Sequence, residues 1–114
     1  MRERDRRMRI RQLDAEMRPF RAGGRVKEPT RALLRTVRQA LRMPAREVGA
    51  ELGVGASAVS RLERAEAHGT ITMRALGRMA EAMGCQVVYG IVPKNGRTLE
   101  WLAEERLWKQ VLGK

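Results

Sequence analysis

MPAREVGAELGVGASAVSRLERAE, residues 43–66, is the stretch whose reading decides the fold. Val48 and Leu52 lie one helical turn apart, which predicts a short helix beginning near Pro44, where a missing N–H is tolerated because first-turn amides lack intrahelical partners. Gly53 ends that helix by adopting the left-handed conformation cheaply. Val59 and Leu62 mark a second short helix starting after Gly55. Two helices, 44–52 and about 56–66, joined by Gly53-Val54-Gly55, have the length and composition of a helix-turn-helix. Val54, buried in the turn, is expected to pack against Val48 and Val59.

The outer surface of the second helix explains the small residues at its start. In a helix-turn-helix this end faces the major groove, and Gly55, Ala56 and Ser57 let the backbone approach DNA without side-chain obstruction. Ser57, Ser60, Arg61 and Arg64 are expected on the outer face, opposite Val59 and Leu62. Arg61 has the planar fork that takes guanine O6 and N7 together, whereas Ser57 and Ser60 suit a base edge or a phosphate. Glu63 is better explained as a partner of Arg64 or of a core arginine than as a base contact.

Composition points the same way. The formal charge of +11, from 24 basic against 13 acidic residues, implies a polyanionic partner. Arginine dominates the excess, which favours phosphate and guanine edges over a merely solubilising surface. The single Cys85 excludes an internal disulfide and is expected to be a buried, inert thiol in a reducing compartment. No apolar run approaches the roughly 20 residues that span a bilayer, and the N-terminus lacks a signal-peptide core, so a cytoplasmic protein is expected.

At 114 residues the chain has room for one cored domain with extensions. Residues 1–29 form the first expected segment. Ile10, Leu13, Met17 and Phe20 fall on one stripe of a basic amphipathic helix, with Glu3/Arg7 and Asp14/Arg18 as i,i+4 pairs. This helix suits docking on the domain, a phosphate-binding arm or, less well, a membrane surface, for which the stripe is poor in large apolar groups. Pro19 and then Arg21-Ala22-Gly23-Gly24 through Pro29 make a linker.

Residues 30–84 are the expected DNA-binding domain. Leu33, Leu34, Val37, Ala40 and Leu41 give an apolar face from Thr30 until Pro44, and the two motif helices follow. Thr72 is the expected N-cap of a helix from Met73 to Met83 with Leu76, Met79, Ala80 and Met83 inward and Gly84 past its end. Residues 85–114 are expected to form a dimer or partner interface. Gln86 to Val92 has the composition of a strand, with Gly90 as a bulge or close-approach site, and no second strand pattern exists to pair with it. Strand pairing across a two-fold axis is therefore expected. Lys94-Asn95-Gly96-Arg97 turns into a last helix, Thr98 to Leu112, whose Trp101, Leu102, Leu107, Trp108, Val111 and Leu112 cover an arc wide enough for burial on more than one side.

Residues 43–64 resemble the helix-turn-helix of Cro/C1-type (XRE-like) transcriptional regulators at Met43, Glu47, Val48, Leu52, Gly53, Val54, Ser57, Val59, Ser60, Arg61, Leu62 and Glu63. Within that group the chain is similar to the small regulators known as mobile mystery protein A, at Gln12-Leu13-Asp14, Pro19-Phe20, the 57–63 run, Glu66-Ala67, Gly69-Thr70-Ile71-Thr72, Gly84 to Tyr89 and Val92-Pro93. The segments above predict a mostly α, Cro/C1-like helix-turn-helix bundle with one β-strand and flanking helices, and the unpaired strand together with the short recognition helix predicts a dimer. The resemblance implies a binder of double-stranded DNA, repressor- or antitoxin-like, that autoregulates an operon shared with a Fic/Doc-type protein. Many Cro/C1-like members place a phosphate-binding glutamine near the start of the first motif helix. Ala45 stands there instead, so Arg46 is expected to take the phosphate. Gly55 and Ala56 replace serine and a longer polar residue, which shifts base reading toward Arg61.

Other functions fit less well. One histidine, His68, in an expected loop, with no carboxylate pair and no repeated Cys/His spacing, gives no catalytic or metal site, and no glycine-rich loop implies a cofactor. His68 is expected to satisfy carbonyls at a helix end. The alternatives retained are an interaction protein that inhibits a partner enzyme, and an RNA binder acting through the N-terminal helix.

Overall fold

The computed structural model describes residues 1–21 and 32–113. The chain divides into two compact units, one of Met1–Glu28 with Tyr89–Lys114 and one of Pro29–Val88. The sequence treats the two flanks as separate segments, yet they share a unit. The expected linker through Gly23-Gly24 to Pro29, and Thr30, lie outside the described residues.

The 29–88 unit is built from α3 (Leu33–Ala40), α4 (Ala45–Leu52), α5 (Ala56–Ala67) and α6 (Met73–Ala82). Each contributes a narrow apolar stripe, and the stripes meet in a core of Leu34, Val48, Val59, Met79 and Met83. Val37, Leu52, Leu62 and Leu76 close around it. Three of these side chains, Val48, Val59 and Met79, are completely inaccessible. Burying a side chain of this size contributes roughly 1.5–3 kcal/mol, and the burial also holds helices too short to persist alone.

The helix ends follow local chemistry. Pro44 stands just outside α4, at its N-cap, and Gly53 closes the helix at φ 73°. Thr72 caps α6, its Oγ1 accepting from the Ala75 amide at 3.1 Å. Gly49, inside α4, has a different task. A Cβ there would lie 2.5 Å from the Val54 carbonyl oxygen. Glycine therefore lets the turn fold back on α4, where the Val54 amide donates to the Gly49 carbonyl at 2.8 Å. Val54 itself is 43% exposed, not buried in the turn, because the chain's close return is made by backbone and leaves this side chain on the outside.

The flanking unit contains α1 (Glu3–Glu16), the single turn α2 (Arg18–Arg21), a 3-10 turn over Lys94–Gly96, and α7 (Leu99–Leu112). The expected stripe of Ile10, Leu13, Met17 and Phe20 is partly buried. Gly90 is a close-approach site, since a Cβ there would lie 2.7 Å from Met17 Sδ and 2.9 Å from the Phe20 ring. Glu3 pairs with Arg7 at 3.4 Å and more closely with Arg6 at 2.7 Å. Asp14 does not pair with Arg18. Its two carboxylate oxygens accept from the Leu99 and Glu100 amides at 2.8 and 3.1 Å, capping α7 together with Thr98, whose Oγ1 accepts from Trp101 N at 3.0 Å. An anion at a helix N-terminus meets free amides and the positive end of the dipole, a stronger attraction than an exposed arginine provides.

Three expectations fail in this part of the chain. Among the described residues no strand forms. Gln86 to Val92 has no regular structure, and Val88, Tyr89 and Ile91 are 68%, 70% and 77% exposed. A β-branched run supplies propensity but not a partner, and no other described segment offers one. The wide apolar arc of α7 is likewise not enclosed, with Leu107, Trp108, Val111 and Leu112 exposed, because α1 is the helix that α7 packs against. Cys85 is exposed as well, carried outward by the Gly84 turn at φ 75°.

Both tryptophans of the chain lie on α7, so intrinsic fluorescence reports that helix. Asp14→Ala is expected to lower the stability read by fluorescence by about 0.5–2 kcal/mol, the usual loss for an N-cap. An unchanged fluorescence-detected transition would show that the cap does not hold α7.

Candidate nucleic-acid interface

Helix α5 is fixed from behind by two carboxylates. Glu63 is buried at 5% exposure, and its oxygens accept from Arg38 Nε at 2.6 Å and Arg38 Nη2 at 3.1 Å. The third guanidinium nitrogen of Arg38 donates to the Met43 carbonyl at 3.1 Å. One arginine thus joins α3, the turn that leads into α4, and α5. The hydrogen bond to Glu63, with its charge, raises the Arg38 pKa above the ordinary arginine value. One helical turn further on, Glu66 Oε1 accepts from the Leu34 amide at 2.8 Å and caps α3. Glu63 is therefore the partner of a core arginine, and its side chain is turned away from the outer face.

With Val59 and Glu63 buried, the opposite face of α5 is left to solvent. Ser57, Arg61 and Arg64 are exposed there and Ser60 is half-buried. Gly55 is the N-cap of α5 at φ −85°, and Gly55 and Ala56 are both exposed, so nothing bulky stands before the helix start. Arg46 is exposed on α4, whereas Ala45 is half-buried and packs on the core. None of Arg46, Arg61 and Arg64 is ion-paired with another described residue. The seven candidate positions therefore lie on α4, on the turn and on the first three turns of α5, with their three arginines available to an external anion.

The sequence reading missed two contributors. Arg38 has no local signature, because its partner lies 25 residues away. Arg78 of α6 is exposed and lines a largely apolar cleft of about 460 Å³ with Arg61, Leu52, Val54, Ala58 and Met79. It extends the basic rim beyond the two motif helices. His68 closes α5 through its backbone, its amide donating to the Arg64 carbonyl at 2.9 Å. Among the described residues no group of histidine, cysteine and carboxylate side chains could hold a metal ion, and no helix is long and apolar enough to cross a membrane.

The helix-turn-helix family model matches residues 34–89, which is nearly the 29–88 unit. No curated protein and no solved structure matches the chain.

Removing one member of a buried ion pair leaves the other charged and unpaired. Glu63→Ala is expected to cost about 3–5 kcal/mol in chemical denaturation, and the paired replacement Arg38→Met with Glu63→Leu to cost less than either single change. Equal stability of wild type and Glu63→Ala would show that the pair does not secure α5.

Proposed function

We propose that this chain, whose residues 34–89 match the helix-turn-helix family model, is a sequence-specific DNA-binding transcriptional regulator that presents α5 to the major groove. The observation that carries the reading is the split of α5 into two faces. Glu63, Glu66 and Val59 anchor one to the domain, while Ser57, Arg61 and Arg64 stand free on the other, in a chain of charge +11. Arg61 reads a base edge, Ser57 and Ser60 take a base edge or a phosphate, Arg46 and Arg64 take phosphates, and Gly55 and Ala56 permit close approach. In this reading the regulator acts in the cytoplasm.

The regulator is a dimer in this reading, since a domain with one short recognition helix gains affinity by doubling its contacts over two half-sites. The surface that suits the second copy is the exposed face of α7 with Leu107, Trp108, Val111 and Leu112. Aromatic residues of this kind anchor interfaces. The resemblance to mobile mystery protein A supports a repressor- or antitoxin-like role beside a Fic/Doc-type partner, and the adjacent reading frame is the direct observation bearing on it.

Arg61→Ala is expected to lose about 1–3 kcal/mol per half-site on the protein's own promoter and little on a scrambled duplex. Arg46→Ala is expected to weaken both duplexes equally and to lower the salt slope by about 0.9 per phosphate contact. Footprinting should show two half-sites about one helical turn, roughly 34 Å, apart or a multiple of it. Equal losses for Arg61→Ala on both duplexes would make Arg61 a phosphate contact, and binding no tighter than micromolar by the wild type would overturn the regulator reading.

A further inference from the structure

The described non-glycine residues at positive φ are Ala32, Arg42 and Asn95. Asparagine is one of the few side chains that visit the left-handed region readily. Ala32 opens α3, its carbonyl accepting from the Thr36 amide at 3.1 Å. Arg42, at φ 57°, occupies the tight turn between α3 and α4. That turn is closed by Arg42 N donating to the Gln39 carbonyl and Met43 N to the Arg38 carbonyl, each at 3.0 Å. Glycine would hold this conformation without the steric penalty that an arginine incurs. The guanidinium does not offset it within the fold. Arg42 is exposed, and its side chain makes no ion pair or hydrogen bond with another described residue. Strained residues cluster at functional sites, and at Arg42 the strain is combined with an exposed guanidinium that no other described residue engages.

We infer that Arg42 is a DNA-backbone contact, a phosphate ligand added to Arg46 and held at a cost in stability. This rests on the DNA-binding reading above. The turn that carries Arg42 is part of the frame that fixes α5. The Met43 carbonyl accepts from Arg38 Nη1, and the remaining nitrogens of Arg38 hold Glu63. The Cα of Arg42 is thus positioned with respect to the recognition helix through one arginine, and the turn releases its long cationic side chain to solvent beside the entry to α4. A planar fork of donors on such a stem suits a phosphate oxygen pair. Because a phosphate carries no sequence information, the contact sets affinity and register, leaving base discrimination to Arg61.

The full chain tests this with Arg42→Gly and Arg42→Lys, each measured by thermal melting and by binding to the protein's own promoter and a scrambled duplex at two salt concentrations. Arg42→Gly is expected to melt no lower than the wild type and to bind both duplexes about threefold or more weakly, with the salt slope reduced by about 0.9. Arg42→Lys, which keeps the charge, is expected to retain the slope. An Arg42→Gly variant that binds both duplexes as tightly as the wild type, with an unchanged slope, overturns the inference and leaves the DNA-binding reading standing. So does an Arg42→Gly variant that melts well below the wild type, because the guanidinium then serves the fold. Wild type that binds neither duplex removes both.

Discussion

The buried pair of Arg38 and Glu63 is the constraint around which the 29–88 unit is arranged. Two charges removed from water are tolerated only when geometry is close and the remaining donors are used, and here the guanidinium engages both carboxylate oxygens and then the Met43 carbonyl. An apolar core of only a few side chains makes non-directional contacts and accepts several relative rotations of such short helices. A forked, directional contact accepts far fewer. It sets the rotation of α5 about its own axis, and Glu66 on the Leu34 amide sets the same helix one turn further on. The rotation of α5 in turn decides which residues face outward. The interface is thus determined by groups on the opposite side of the helix from the DNA it is assigned to read.

The two units are stabilised differently. In the 29–88 unit, burial dominates, with side chains completely removed from solvent. In the flanking unit no residue of α1, α2 or α7 is buried, and the helices are joined by a half-buried stripe and by the Asp14 cap. Such a unit gains little from area, so directional contacts carry more of its stability. Its uncovered tryptophan-bearing face is consistent with completion by another surface, as the dimer reading holds.

Features set by neighbours in the chain were legible in the sequence, and features set by distant partners were not. The stripes of α4 to α6, the Gly53 break, the Thr72 cap and the Asn95-Gly96 turn depend on residues within a turn of each other, and the periodicity displays them, whereas of the face expected for α3 only Leu34 and Val37 turn inward and Leu33, Ala40 and Leu41 are exposed. Asp14 shows the opposite case. Its local geometry offers Arg18, whereas the partner it takes lies 85 residues away. The role of Gly49 is not legible in the sequence, because a helix glycine has no signal of its own until the returning turn is placed against it. The error at Gln86 to Val92 has the same origin, since β-branched composition describes what a segment suits and cannot supply the strand it would pair with. At the interface, residue types were readable from charge and spacing, but the orientation of α5 depended on Arg38, and the left-handed Arg42 was invisible to periodicity.

The central claim is that DNA meets the outer face of α5. Titrating the isotope-labelled chain with a duplex of its own promoter and following backbone amide resonances tests that claim directly. The largest perturbations are predicted at Gly55, Ala56, Ser57 and Arg61, with smaller ones at Arg46 and little change at Met79 and Met83 in the core. Perturbations confined to α1 and α7, with α5 unchanged at saturation, would contradict the account.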